Sequence, residues 1–298
     1  MTRLAALLGV SRAPFLALPV ALVACGAGAA AVDGAISWQR VLLTLVGLVA
    51  LHMAVNIFNE VSDLRTGIDL ETNRTPFSGG SGTLPSGRLS PRAALAFGVV
   101  CAAVGLGVGV WFLLRVGWPL VPLMVVGAVT VLTYTDVLAR IGLGELAAGL
   151  GLGSLPVLGV ALVQDGRLGP AAVAASVPAF FMTFNLLLLN EFPDEEADRR
   201  GGRRNLVLLL GRRPAAGLYM LAVLAVPAAL GGAVALGFLP WQALLAVIPT
   251  ALVVPAVRWA LREPGNPVPV QALGANVVWN LATNLVLGFL LAAASGLL

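Results

Sequence analysis

The feature that most constrains this chain is its division into continuous apolar runs, each long enough to cross a bilayer and joined by short polar stretches. A transmembrane helix needs about 20 predominantly apolar residues. Runs bounded by Arg, Gly, Pro or acidic residues fall near 13–32, 41–62, 92–114, 118–135, 143–163, 170–192, 214–236, 240–257 and 275–297. They are unbroken rather than alternating, which excludes a closed β-barrel, and in lipid the backbone must then satisfy its own polar groups as helix. The predicted fold is an all-α polytopic membrane bundle of about nine transmembrane helices, in a single domain over 1–298. With 59% hydrophobic and 11% charged residues, against roughly 25% charged in a soluble domain, no room remains for a separate soluble domain.

Arg3 and Arg12 followed by the apolar stretch 14–32 resemble a secretory leader, and Leu22-Val23-Ala24-Cys25 resembles a lipoprotein cleavage box. A polytopic chain keeps its first helix as the start of its topology, so this run is read as span one. Cys25 and Cys101 lie inside apolar runs, far from any Cys or His at metal spacing, and read as small buried residues.

No lysine occurs, so arginine alone carries the orientation signal. With the N-terminus inside, the outer segments hold only Arg40, Arg115 and Arg167 of the 18 basic residues, and the cytoplasmic segments hold the rest. This positive-inside asymmetry predicts a cytoplasmic N-terminus and an outer C-terminus in the cell (inner) membrane. Spread over membrane-edge segments, the same arginines explain the pI near 10.0 and argue against a nucleic-acid partner.

Two acidic clusters then stand out, each at the end of an apolar run: Asn56 to Asp69, and Asn190 to Asp198, with Asn-Glu-x-x-Asp in both. By their steps of three and four, Asn56, Asn59, Glu60, Asp63 and Gly67 share a helix face, and Asn190, Glu191, Asp194, Glu195 and Asp198 repeat the stepping. Gly67 is placed to end the first helix, and Pro193 to kink the second. Three spans separate the two, so the helices run parallel and both clusters face the cytoplasm. That pattern suggests a parallel pseudo-repeat with halves near 1–140 and 141–298 and a site between them.

Carboxylates are costly near a bilayer and invite bound cations. Mg²⁺ binds through one or two carboxylates, waters and phosphate oxygens, so facing clusters suit metals holding a diphosphate between them. The single histidine, His52, lies about a turn before the first cluster, which does not make a zinc site. Arg74, Arg203 and Arg204 are the candidate phosphate partners. The Gly-rich stretch 74–82 reads as a mobile loop over the site, as a phosphate cradle through backbone N–H groups, or as an ordinary flexible loop.

These motifs closely resemble those of the UbiA superfamily of intramembrane prenyltransferases, whose signatures are an Asn-x-x-x-Asp-x-x-x-Asp type motif and a later Asp-x-x-x-Asp motif. The first corresponds to Asn56 through Asp63 with Gly67 and Asp69. The second corresponds to Asn190 through Asp198, followed by Arg199 to Gly211. Within the family, the first motif and Gly142-Leu143-Gly144-Glu145-Leu146 look most like the 1,4-dihydroxy-2-naphthoate polyprenyltransferase branch. Glu60 and Glu191 stand where that branch usually has Asp, and Asp136 to Arg140 replace a Gly-Gly-Pro type turn.

The resemblance implies Mg²⁺-dependent transfer of a prenyl chain from a prenyl diphosphate to a small aromatic, quinone-precursor-like acceptor within membrane lipid, as in menaquinone biosynthesis. It implies catalytic roles for Asn59, Asp63, Asp194, Asp198 and Tyr134, and diphosphate binding by Arg74, Arg140, Arg203 and Arg204. It further implies two Mg²⁺ held by a set drawn from Asn56, Asn59, Glu60, Asp63, Asn190, Glu191, Asp194 and Asp198. Tyr134, Phe184 and Phe58 are candidate aromatic faces for an allylic cation, and the small residues of spans three, five and nine suit a groove for the tail. Two alternatives share these features: a membrane terpene cyclase ionising the same donor without an acceptor, and a transporter built on the pseudo-repeat.

Overall fold

A computed structural model describes residues 2–34, 36–72 and 74–297. In chain order the helices are α1 Arg3–Val10, α2 Ala13–Asp33, α3 Trp38–Thr66, α4 Ile68–Glu71, α5 Pro91–Val116, α6 Trp118–Thr133, α7 Gly144–Asp165, α8 Pro170–Arg200, α9 Leu206–Leu210, α10 Arg212–Ala235, α11 Trp241–Arg262 and α12 Val270–Ala294. Among the described residues there is no strand. Eight of these helices are long and apolar enough to cross a membrane and α6 is a shorter apolar helix, so each expected span has its helix and the chain is a multi-pass membrane protein.

The helix ends bear on function most. α3 and α8 run on to Thr66 and Arg200, beyond the apolar runs that end near 62 and 192, and so carry both acidic motifs on rigid helix rather than on loops. α3 stops where Gly67 adopts φ +82°, the left-handed conformation that glycine takes without a Cβ penalty. α8 continues through Pro193. One π-helical turn, Leu150–Ser154, interrupts α7, and α11 begins as a 3₁₀ helix over Trp241–Val253.

Without a strong hydrophobic force between helices in lipid, close backbone approach and polar contacts hold such a bundle. At the α2–α12 crossing Gly28 lies against the Gly288 carbonyl and Gly288 against that of Ala24, so a Cβ at either would overlap backbone. The main core groups α2 and α8 with α10 and α12. A buried polar seam runs through it: Asn185 Nδ2 donates to the Tyr219 carbonyl at 3.0 Å, the Tyr219 hydroxyl to Asn276 Oδ1 at 3.0 Å, and Asn276 Nδ2 to the Asn185 carbonyl at 3.0 Å. One turn on, Asn280 Nδ2 donates to Thr183 Oγ1 at 3.3 Å.

A candidate amphiphilic cavity

Both acidic motifs face one cavity of about 150 Å³. On α3 the steps of three and four aim Asn56, Asn59 and Asp63 into it, and on α8 Asn190, Glu191, Asp194 and Asp198. Asp69 of α4 and Tyr134 and Arg203 of connecting segments join them, with Arg12 from the turn between α1 and α2. Arg203 bridges the two motifs. Its Nη2 donates to Asn59 Oδ1 at 2.9 Å and to Asp63 Oδ1, while Nη1 donates to Asp198 Oδ1 at 3.4 Å.

Neighbouring bonds hold the acids in place. Asn59 Nδ2 donates to Asp63 Oδ2 at 2.9 Å, Thr72 Oγ1 to Asp194 Oδ1 at 2.6 Å, and Asn205 Nδ2 to Asp198 Oδ2 at 2.9 Å. Asn205 also caps α9 through its Oδ1. Burial opposes the charge on Arg203, yet Asp63 and Asp198 overcome it and raise the guanidinium pKa above the ordinary arginine value. Burial likewise pushes the Asp69 carboxyl up to about 7, with the charges of Glu60 and Asp63 adding to the shift against Arg12 and Arg74.

Four of the residues expected to act in catalysis, diphosphate binding or metal binding do not line this cavity: Glu60, Arg74, Arg140 and Arg204. Glu60 is fully buried. Its Oε1 accepts from Arg12 Nε at 2.8 Å and from the Ser81 amide at 2.6 Å, and its Oε2 accepts from the Ser81 hydroxyl at 2.7 Å. Arg74 Nη2 donates to the Asp69 carbonyl at 2.5 Å, so it braces the Gly-rich loop from within. That loop does roof the cavity, through Phe77, Ser78, Gly79 and Gly80; Gly80 has φ +72°, and a Cβ there would overlap Asp69 Oδ1. Arg140 lies beside Gly202, and the Arg204 amide donates to the Ala139 carbonyl at 2.9 Å.

Of the aromatic candidates only Tyr134 reaches the cavity. Phe184 stacks on Phe180 at 6.1 Å and Phe58 packs against Gly98. Residues passed over in the sequence reading include Arg12, counted there only as a topology arginine, and Thr72. Glu145 of the Gly142–Leu146 motif is fully buried, and its Oε1 accepts from the Leu206 amide at 2.5 Å, tying α7 to the chain after the second motif.

A second cavity of about 280 Å³, almost wholly apolar, adjoins the first and lies among α2, α3, α5, α6 and α7. His52, Val55, Tyr134, Ala148 and Leu152 line both. Gly105 and Gly109 of α5 and Gly151 and Gly159 of α7 line it; Gly159 has open space beside it, while Gly105 packs against Leu51 and Gly151 against Thr130. The small residues of span nine do not take part, because Gly288 is spent on the contact with α2.

The donor set at the polar end is all oxygen, which suits a hard cation such as Mg²⁺ rather than zinc. The buried Asp69 Oδ2 has no partner, which is consistent with a further cation or donor there, whereas the Glu191 carboxyl lies against that of Glu145. Among the described residues no three acidic, His or Cys side chains form a ready-made metal cage.

Fold and cavity together define a polytopic membrane protein with a charged chamber walled in part by the same residues as an adjoining apolar one. The chain belongs to the UbiA prenyltransferase family, whose model matches residues 17–284. It is 26% identical over 177 residues to the 1,4-dihydroxy-2-naphthoate octaprenyltransferase of Bacillus subtilis, covering 58% of this chain and 56% of that one. It is 32% identical over 200 residues to the protein of the same name from Mycobacterium tuberculosis, covering 64% and 65%. The chain therefore spans less than two thirds of either relative. A digeranylgeranylglyceryl phosphate synthase from Natronomonas pharaonis is 27% identical over 272 residues, covering 90% and 91%. Solved structures share the fold: a UbiA homologue from Aeropyrum pernix (TM-score 0.70, 19% identity, 93% and 97% covered) and one from Archaeoglobus fulgidus bound to GPP and Mg²⁺ (TM-score 0.63, 14% identity, 97% and 99% covered).

Proposed function

We propose that this protein transfers a prenyl chain from a polyprenyl diphosphate to an aromatic, quinone-precursor-like acceptor at the cytoplasmic face of the cell membrane. The observation that carries the reading is the junction of an acidic, arginine-bridged cavity with an apolar one, which matches the two ends of an isoprenoid diphosphate. Relatives named for 1,4-dihydroxy-2-naphthoate prenylation, and a structural neighbour bound to GPP and Mg²⁺, support it. The positive-inside distribution of arginine supports the cytoplasmic assignment.

In this reading Asn59 and Asp63 on α3, and Asp194 and Asp198 on α8, hold two Mg²⁺, with Asn56, Asn190 and Glu191 beside them. Bound Mg²⁺ neutralises charge on the departing diphosphate. Arg203 and Arg12 pair with diphosphate oxygens, since a guanidinium suits phosphate geometry. Asn205 and Thr72 keep the carboxylates oriented. Tyr134, at the junction, offers an aromatic face beside the reacting carbon, and the apolar cavity excludes water from the allylic cation.

The long match to a digeranylgeranylglyceryl phosphate synthase favours one second reading, transfer of the same donor group to an alcohol. Purified protein given a prenyl diphosphate, Mg²⁺ and either a phenolic or a glyceryl phosphate acceptor separates the two by product mass. A cyclic hydrocarbon formed without any acceptor would refute both and indicate a cyclase.

A further inference from the structure

His52 is the only histidine of the chain and is 7% exposed. It lies on the wall common to both cavities, which Val55, Tyr134, Ala148 and Leu152 share. Neither ring nitrogen has a hydrogen-bond partner among the described residues, and neither is sealed off from the cavity. An imidazole buried in a bilayer without a partner is costly, so whatever fills the junction must supply one.

The donor is a poor candidate for that partner. With its diphosphate among the acids and its tail in the apolar cavity, its reacting carbon comes to rest at the five shared residues, and it brings only C–H bonds there. The attacking group of the acceptor must approach that same carbon within about 3–3.5 Å, which puts the acceptor next to His52. Tyr134 shares the wall, but a phenol at neutral pH is already protonated. Arg12 is the charged neighbour of His52, and a guanidinium takes up no proton.

We propose that His52 is a catalytic residue that accepts the proton of a hydroxyl on the acceptor as the new bond forms. The inference rests on the prenyl-transfer reading above. The bond between prenyl C1 and the diphosphate oxygen breaks, its electron pair leaving on the diphosphate. The acceptor, through a ring carbon conjugated to the hydroxyl or through the hydroxyl oxygen itself, supplies the pair for the new bond to C1. The hydroxyl proton passes to the imidazole. After attack by a ring carbon, the ring proton shifts to the carbonyl oxygen and restores the hydroxyl, so one proton is released overall, and it leaves His52 with the diphosphate. The acceptor class assigned is a hydroxyl compound whose O–H lies at or in conjugation with the attacking atom.

The test uses the full chain in nanodiscs, with a prenyl diphosphate, Mg²⁺ and a panel of phenolic and alcohol acceptors, on wild type, H52F, H52Q and D63A. Removing a general base typically costs about 10²–10⁴-fold, and that loss of transfer is expected in both H52F and H52Q. Prenyl diphosphate affinity, read by calorimetry, is expected to stay at the wild-type value in both and to fall in D63A. Full transfer by H52F or H52Q overturns the proposal for His52 while leaving the prenyl-transfer reading intact, and so does a loss of donor affinity in step with transfer. A wild type that releases diphosphate yet alkylates no hydroxyl acceptor refutes that reading and this inference with it.

Discussion

At the scale of residues, the acids and Arg203 carry the account. Arg203 reaches Asn59, Asp63 and Asp198 through two nitrogens of one planar fork, a geometry that lysine does not reproduce. R203K is expected to lower transfer about 10²–10³-fold, the cost of losing one preorganised donor, in a steady-state assay at saturating Mg²⁺. D63A and D194A are expected to abolish Mg²⁺-dependent diphosphate release, and a chelator should do the same to wild type. Which of these residues could be read in advance follows from how each finds its partner. Asn59, Asp63, Asp194 and Asp198 reach the cavity by helical stepping alone, so spacing revealed them. Glu60 obeys the same stepping, but its partners are Arg12, 48 residues before it, and Ser81, 21 residues after it. No local pattern discloses such a pairing. Arg12 was hidden for the same reason, because a basic residue before the first span already has an explanation in topology.

At the scale of elements, the Gly-rich loop and the α2–α12 crossing make separate demands. Glu60 ties the loop to α3 and to the turn before α2, so E60A leaves Arg12 and the Ser81 amide unpaired. A loss of about 3 kcal/mol is expected, the low end for breaking a buried pair because Arg12 is partly exposed; thermal denaturation in detergent measures it. Gly80 holds a positive φ directly against Asp69. G80A is expected to cost about 1–2 kcal/mol in backbone conformation and to weaken donor binding through the displaced carboxylate, which calorimetry would read. At the crossing, G28L forces a side chain into the Gly288 backbone and is expected to destabilise the bundle by at least the 1–3 kcal/mol typical of overpacking. Spans were legible because apolar length is a one-dimensional property. The seam of Asn276 and Asn280 escaped the sequence reading although the two stand four residues apart on α12, because their partners on α8 and α10 depend on packing. Span nine illustrates the limit, since small residues read alike whether they leave a groove or admit a neighbouring backbone.

For the whole molecule, the central claim is that two parallel helix ends and one arginine assemble a diphosphate site at the mouth of an apolar chamber. The number and order of spans needed only hydropathy, and the common side of the two motifs needed only the parity of the helices between them. The chamber itself needed the structure, because α5, α6 and α7 enclose it by how far apart they stand, which no residue encodes. The most direct test is product analysis by mass spectrometry with purified protein, a polyprenyl diphosphate and a phenolic acceptor, with and without Mg²⁺, for wild type beside D63A and D194A. The account predicts an acceptor heavier by one prenyl chain, formed only with Mg²⁺ and absent from both variants. Prenylated product that persists without Mg²⁺ or in either D63A or D194A, or diphosphate release that yields only a cyclised hydrocarbon, would contradict it.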